Sequence, residues 1–135
     1  MIAVDSNVLA YLLIENRQTP DARALLARDS DWHSDVFCLV ELTNVLATAM
    51  RVRRMDLSRA RAALAEAHDV IQPGLHEATH FETLGIAAEF GVSAYDARYV
   101  AVARNLGVRL VTEDTRLRNA APALTQSLAA ALAAA

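Results

Sequence analysis

Four acidic residues stand where acids are costly: Asp5, Glu41, Asp96 and Asp114. Asp5 ends the apolar run Met1-Ile2-Ala3-Val4, and Glu41 interrupts Val36-Phe37-Cys38-Leu39-Val40 and Leu42. Asp96 opens Ala97-Arg98-Tyr99-Val100-Ala101-Val102-Ala103, and Asp114 follows Val108-Arg109-Leu110-Val111-Thr112. A carboxylate beside apolar surface is expensive unless something neutralises it. Several together repel one another and raise their own pKa values. A hard divalent cation with oxygen ligands, such as Mg²⁺, removes both costs. A fold that gathers these four would therefore make the chain a candidate metal-dependent enzyme.

Positioning them is a matter of strands and helices. Residues 1–4 read as a buried strand, followed by helical spacing through Val8, Leu9, Leu12 and Leu13. Thr19-Pro20-Asp21 starts a second helix with Pro20 at its first position. A short strand is expected over Asp31–Ser34, and Asp35 reads as the N-cap of a helix reaching about Arg53. A helix from Ser58 to about His68 precedes a weak strand at Val70-Ile71 and a Pro73-Gly74 turn. Next comes a helix from about His76 to Phe90, closed by Gly91. Ser93 and Asp96 have capping-box spacing for a helix ending at Leu106-Gly107. Val108–Thr112 is a second clear strand, Asp114 caps a short helix, Ala123–Thr125 suits an edge strand, and Ser127 begins an alanine-rich tail helix. Short apolar strands alternating with helices imply an α/β fold: a three-layer α/β/α arrangement around a parallel sheet of four or five strands.

Ligands gather at the carboxyl ends of strands in such sheets. Asp5 directly follows the first strand and Asp114 lies two residues past the one ending at Thr112, so both fall on one sheet edge. Asp96, in the first turn of the helix that feeds that strand, falls on the same edge, and the helix dipole favours an anion there. Glu41 is placed less firmly, beside the polar stripe Asn44 and Thr48. Ordinary explanations compete. Asp114 reads singly as a helix cap and Glu41 as part of a solvated face. Asp96 is equally a cap and a ligand. An Asp after a strand is often a turn residue, although Asp5-Ser6-Asn7 opening a helix from a buried strand favours a site. The joint arrangement is what points to chemistry.

The motifs in series resemble the PIN-domain family. Val4-Asp5-Ser6-Asn7-Val8-Leu9 looks like its opening motif, with Ser6 where Thr is common. Leu39-Val40-Glu41-Leu42-Thr43-Asn44-Val45-Leu46, Ser93-Ala94-Tyr95-Asp96-Ala97-Arg98-Tyr99 and Leu110-Val111-Thr112-Glu113-Asp114-Thr115-Arg116-Leu117 look like the remaining three. The match runs from residue 1 to about 120 of a single domain spanning 1–135, leaving 121–135 as edge strand and tail. The compact length resembles VapC-like toxins of bacterial toxin–antitoxin pairs. The resemblance implies an endoribonuclease dependent on Mg²⁺ or Mn²⁺. Asp5, Glu41, Asp96 and Asp114 would form its acidic pocket, with Asp5 and Asp96 as direct metal ligands and Glu41 and Asp114 acting through water. Asn7 and Thr112 would support them by hydrogen bonds, and Glu113 would face solvent. The implied partners are RNA, a cognate antitoxin and a second copy in a homodimer. A PIN-type RNA-processing nuclease and a non-catalytic interaction domain are the alternatives.

The bulk numbers constrain these expectations. With 135 residues, 54% hydrophobic and 21% charged, the chain suits one globular domain. A net charge of −3 argues against simple coating of nucleic acid, but not against a nuclease whose acids bind cations. All thirteen basic residues are arginine. Arg98, Arg116 and Arg118 lie nearest the acids in sequence and are candidate RNA contacts. Arg51, Arg53, Arg54, Arg59 and Arg61 read more simply as a solvated helix end. The histidines have no motif partners and read as surface or satisfied residues. The lone Cys38 suits a buried apolar role. The apolar side of the first two helices, with Leu12, Leu13, Ile14, Leu25 and Leu26, is either interface or core. No basic segment precedes the first apolar run, and Val8–Ile14 is too short to span a bilayer, so the expected location is the cytoplasm.

Overall fold

The computed structural model describes residues 1–134. Its centre is a five-stranded sheet with every neighbouring pair parallel, in the order β3-β2-β1-β4-β5. The strands are β1 (Ile2–Val4), β2 (Trp32–Asp35), β3 (Leu75–His76), β4 (Leu110–Val111) and β5 (Thr125–Gln126). Helices α1 (Ser6–Tyr11), α2 (Thr19–Arg28), α3 (Phe37–Val52), α4 (Leu57–Ile71), α5 (His80–Phe90), α6 (Ala94–Leu106), α7 (Thr115–Ala120) and α8 (Leu128–Ala133) connect and cover them. This is the α/β architecture expected of parallel strands, whose crossovers need helices. The last residue of the expected tail, Ala135, lies outside the described residues.

Local chemistry sets most boundaries. Ser93 Oγ accepts the amide of Asp96 at 3.1 Å to open α6, and Gly107 closes it at φ 70°. Gly91 closes α5 at φ 67°, a left-handed conformation that costs glycine little. Asp114 Oδ1 accepts the amides of Arg116 and Leu117, starting α7. Ser127 caps α8.

Several expected boundaries move. Val70-Ile71 completes α4 instead of forming a strand, and Ile71 is fully buried there. The strand lies five residues later at Leu75–His76, where β2 offers it a parallel edge. The expected helix start at His76 shifts accordingly to His80, capped by Thr79. Pro20 is the second residue of α2, since the helix begins at Thr19. Asp35 ends β2 and does not cap α3: Val36 intervenes, and Asp35 Oδ1 accepts the amide of Phe37 at 2.8 Å.

One hydrophobic cluster joins the sheet to the helices, with Leu9, Leu25, Trp32, Leu42, Ile71, Ile86, Leu110 and Leu128 almost fully buried. Cys38 is buried within it, and burial pushes its thiol pKa up to about 11, which makes it inert at neutral pH. Leu12, Ile14 and Leu25 are core, leaving Leu13 and Leu26 only partly covered. Leu12–Ile14 follow α1 instead of lying on it, and this segment and α2 bury most of their apolar side chains internally. Among the described residues, no helix is long and apolar enough to cross a membrane.

Candidate active site

Strand β1 lies between β2 and β4, so the chain leaves it first toward one edge of the sheet and later toward the other. The carboxyl ends of β1 and β4 mark that switch point, where helices diverge and a crevice opens. Asp5 stands directly after β1 and Thr112 directly after β4. Thr112 Oγ1 donates to Asp5 Oδ2 at 2.6 Å, while the amide of Val8 donates to Asp5 Oδ1 at 3.0 Å. Thr112 Oγ1 also accepts the amide of Asp114 at 3.1 Å. One buried hydroxyl thus ties the first acid to the turn that carries the last.

Glu41 approaches from α3. Leu42 and Leu46 on the adjacent stripe are buried, which turns Glu41 toward the crevice instead of the core. Ser6 Oγ donates to Glu41 Oε1 at 3.1 Å, and the buried Tyr99 hydroxyl donates to the same oxygen. Tyr99 lies one helical turn beyond Asp96 on α6, so a single helix supplies one acid and positions another. Asp96 and Asp114 line one cavity of about 320 Å³ with Ser93 and Arg116. Glu41 lines a neighbouring cavity of about 350 Å³ with Ser6, Asn7, Phe37, Asn44 and Tyr95.

The electrostatics join the two cavities. Burial above all raises the Asp5 carboxyl, the hydrogen bonds from Thr112 and Val8 lower it, and the charges of Asp96 and Glu41 raise it, leaving it at about 6. Asp96 is also raised, first by burial, then by Asp114 and Glu41. Asp5 therefore feels Asp96 and Glu41, and Asp96 feels Asp114 and Glu41. Among the described residues, no three His, Cys, Asp or Glu side chains converge tightly enough to form a ready cation cage. The donor set nevertheless fits a hard cation bound largely through water, because Mg²⁺ typically takes one or two carboxylates and keeps several waters.

The other expected residues divide. Asn7 is exposed and lines the Glu41 cavity. Arg116 is exposed beside Asp96 and Asp114. Arg98 is not a free cation: its Nε donates to the buried Asp35 Oδ1 at 2.9 Å. Arg118 is half-spent on Glu113 at 3.2 Å. Glu113 does not face solvent as expected; its Oε2 also accepts the amide of Leu128 at 3.2 Å, tying β4 to the start of α8. His33 and His76 satisfy each other at 2.8 Å, with Asp31 on the far ring nitrogen of His33. Sequence reasoning missed the contact of Tyr99 with Glu41. The three-residue spacing of Asp96 and Tyr99 on one helical face was its available signal.

Comparison with known proteins agrees with this fold. The PIN-domain profile matches residues 2–122. Ribonuclease VapC3 of Pyrobaculum aerophilum is 25% identical over 126 residues, covering 91% of this chain and 96% of that protein. The crystal structure of PAE2754 from Pyrobaculum aerophilum superposes with a TM-score of 0.76 at 24% identity, covering 96% of this chain and 92% of that one. With the profile spanning nearly its whole length and the same fold recurring in a solved structure, the chain belongs to the PIN-domain family.

Proposed function

We propose that the protein is a Mg²⁺- or Mn²⁺-dependent endoribonuclease that hydrolyses RNA phosphodiesters and serves as the toxin of a toxin–antitoxin pair. The observation that carries the reading is the Thr112–Asp5 hydrogen bond at the switch point, with the charges of Asp96 and Glu41 bearing on the same buried carboxyl. The similarity to a protein named Ribonuclease VapC3 supports the choice of RNA and of the toxin role.

Asp5 and Asp96 would hold the cation directly, and Glu41 and Asp114 through water. A divalent cation there supplies a more acidic water and stabilises charge on the phosphoryl group. The chain's own residues do the rest. Thr112 and the Val8 amide fix the Asp5 carboxylate in one orientation. Ser6 and Tyr99 hold one oxygen of Glu41, leaving the other to orient water or accept a proton. Arg116 is the basic side chain best placed to attract a substrate phosphate. The antitoxin and a second copy of the chain are the expected protein partners, in the cytoplasm.

Purified protein is expected to cut RNA only when Mg²⁺ or Mn²⁺ is present. Asp5→Ala and Asp96→Ala should each lower the rate more than about 100-fold, because even an outer partner of a metal site is worth 10–100-fold. Cutting that survives both changes, or continues in excess chelator, refutes the reading. Induction in cells tests the toxin role: wild type should arrest growth and Asp5→Ala should not.

A further inference from the structure

The Glu41 cavity shares a wall with a second cleft outside the acidic centre. Phe37 and Tyr95 line both. Their rings lie 5.3 Å apart at 35°, and Tyr95 is 62% exposed. The second cleft, about 310 Å³, also contains Thr83 and Arg98. Thr83 is 3% exposed, and its hydroxyl has no hydrogen-bond partner among the described residues. Buried hydroxyls are rarely left so. Arg98 lies 5.8 Å from the Phe37 ring centre, and Asp35 already balances its charge.

We propose that this cleft is a stacking subsite for one unpaired nucleobase of the RNA whose phosphate lies at the acidic centre. The proposal rests on the ribonuclease reading given above. A neutralised arginine and two aromatic faces suit a flat, uncharged group better than a phosphate. The remaining Arg98 N–H groups offer that group hydrogen-bond donors. The shared Phe37–Tyr95 wall makes the cleft continuous with Glu41, so its occupant belongs to the same strand as the reacting phosphate. Bases in a duplex are stacked and unavailable, so the substrate is single-stranded at this position.

The test uses a single-stranded RNA carrying a fluorescent adenine analogue, bound to Asp96→Asn protein so that the strand stays intact. Cleavage is measured separately with Asp96 restored. Stacking should quench the fluorophore. Tyr95→Ala and Phe37→Ala should each weaken binding about 10-fold, within a range of roughly 5- to 150-fold, and relieve the quench. Tyr95→Phe keeps the ring and should bind like the parent. Phe81→Ser, at a 93% exposed position of α5 that lines neither cleft, should change nothing. The subsite is overturned if RNA is cut but Tyr95→Ala leaves affinity and quench intact. It is also overturned if Tyr95→Ala alters only the mass measured by light scattering, since the face would then receive a second copy of the chain. Tyr95-dependent quenching without cleavage would sustain the subsite and remove the nuclease reading. Absence of both binding and cleavage would remove both.

Discussion

Asp5 is stable in place only at a cost. The residue is 7% exposed, and its carboxyl is pushed up to about 6 from an ordinary value of 3.8. Because the folded protein holds this proton more tightly than the unfolded chain, the linkage runs against stability as pH rises. Below about pH 4 both states are protonated and Asp5 costs nothing. Between about 4 and 6 the unfolded chain ionises first, and above 6 the full penalty applies, on the order of 3 kcal/mol. Metal-free Asp5→Asn is therefore expected to be more stable than wild type at pH 7–8, with the gain vanishing near pH 4. Urea unfolding in chelator at both pH values measures it. An Asn variant less stable than wild type at pH 8 contradicts the account. Such a trade-off is expected where a site is built for function and not for the fold. At this scale the acids were legible because their flanks are apolar. The hydroxyls that hold them were less so: Tyr99 and Glu41 are 58 residues apart, and no local pattern pairs them.

Elements carry the site by their ends, and the ends of β2 and β3 are fixed by close contact. A Cβ built on Gly74 would lie 2.0 Å from the Trp32 carbonyl oxygen, which is backbone and cannot yield. Gly74→Ala should therefore lower stability by about 1–3 kcal/mol, the usual range for overpacking, seen as a reduced urea midpoint with unchanged slope. A neutral result would mean that the turn moves freely. Next to it, the fully buried Asp35 accepts the amides of Phe37 and Ala78 and the guanidinium of Arg98. Asp35→Ala leaves Arg98 without its partner, and loss of one half of a buried pair typically costs about 3–5 kcal/mol. Equal stability of Asp35→Ala and wild type would show that α6 is not anchored there. These features explain what the sequence hid. The runs Ile2–Val4 and Val108–Thr112 were readable because apolar residues cluster between turn signals. The two-residue β3 carries no run, and its position depends on β2 supplying an edge. Asp35 resembled a helix cap because capping and anchoring use the same residue type before the same apolar stripe.

On the scale of the whole molecule, parallel order brings residues from both ends of the chain to one crevice, with Asp5 and Thr112 107 positions apart yet hydrogen-bonded. On the proposed reading, the repulsion among these acids would link cation binding and folding in a single equilibrium. A ligand that binds only the folded state stabilises it by about 2.7 kcal/mol at 100 times its dissociation constant. For a domain of this size that amounts to a rise of several degrees in Tm. Chelator-treated wild type at pH 8 should therefore gain stability as Mg²⁺ or Mn²⁺ is added, while Asp5→Ala and Asp96→Ala should gain little. The gain should shrink below about pH 6, because a proton on Asp5 competes with the cation. Thermal unfolding across a titration at pH 8 and pH 5 separates the outcomes. An equal rise in wild type and both variants would place the cation elsewhere on this acidic protein. No rise in wild type at saturating metal would mean that the four carboxylates remain uncompensated, and the proposed hydrolysis would lose its cation.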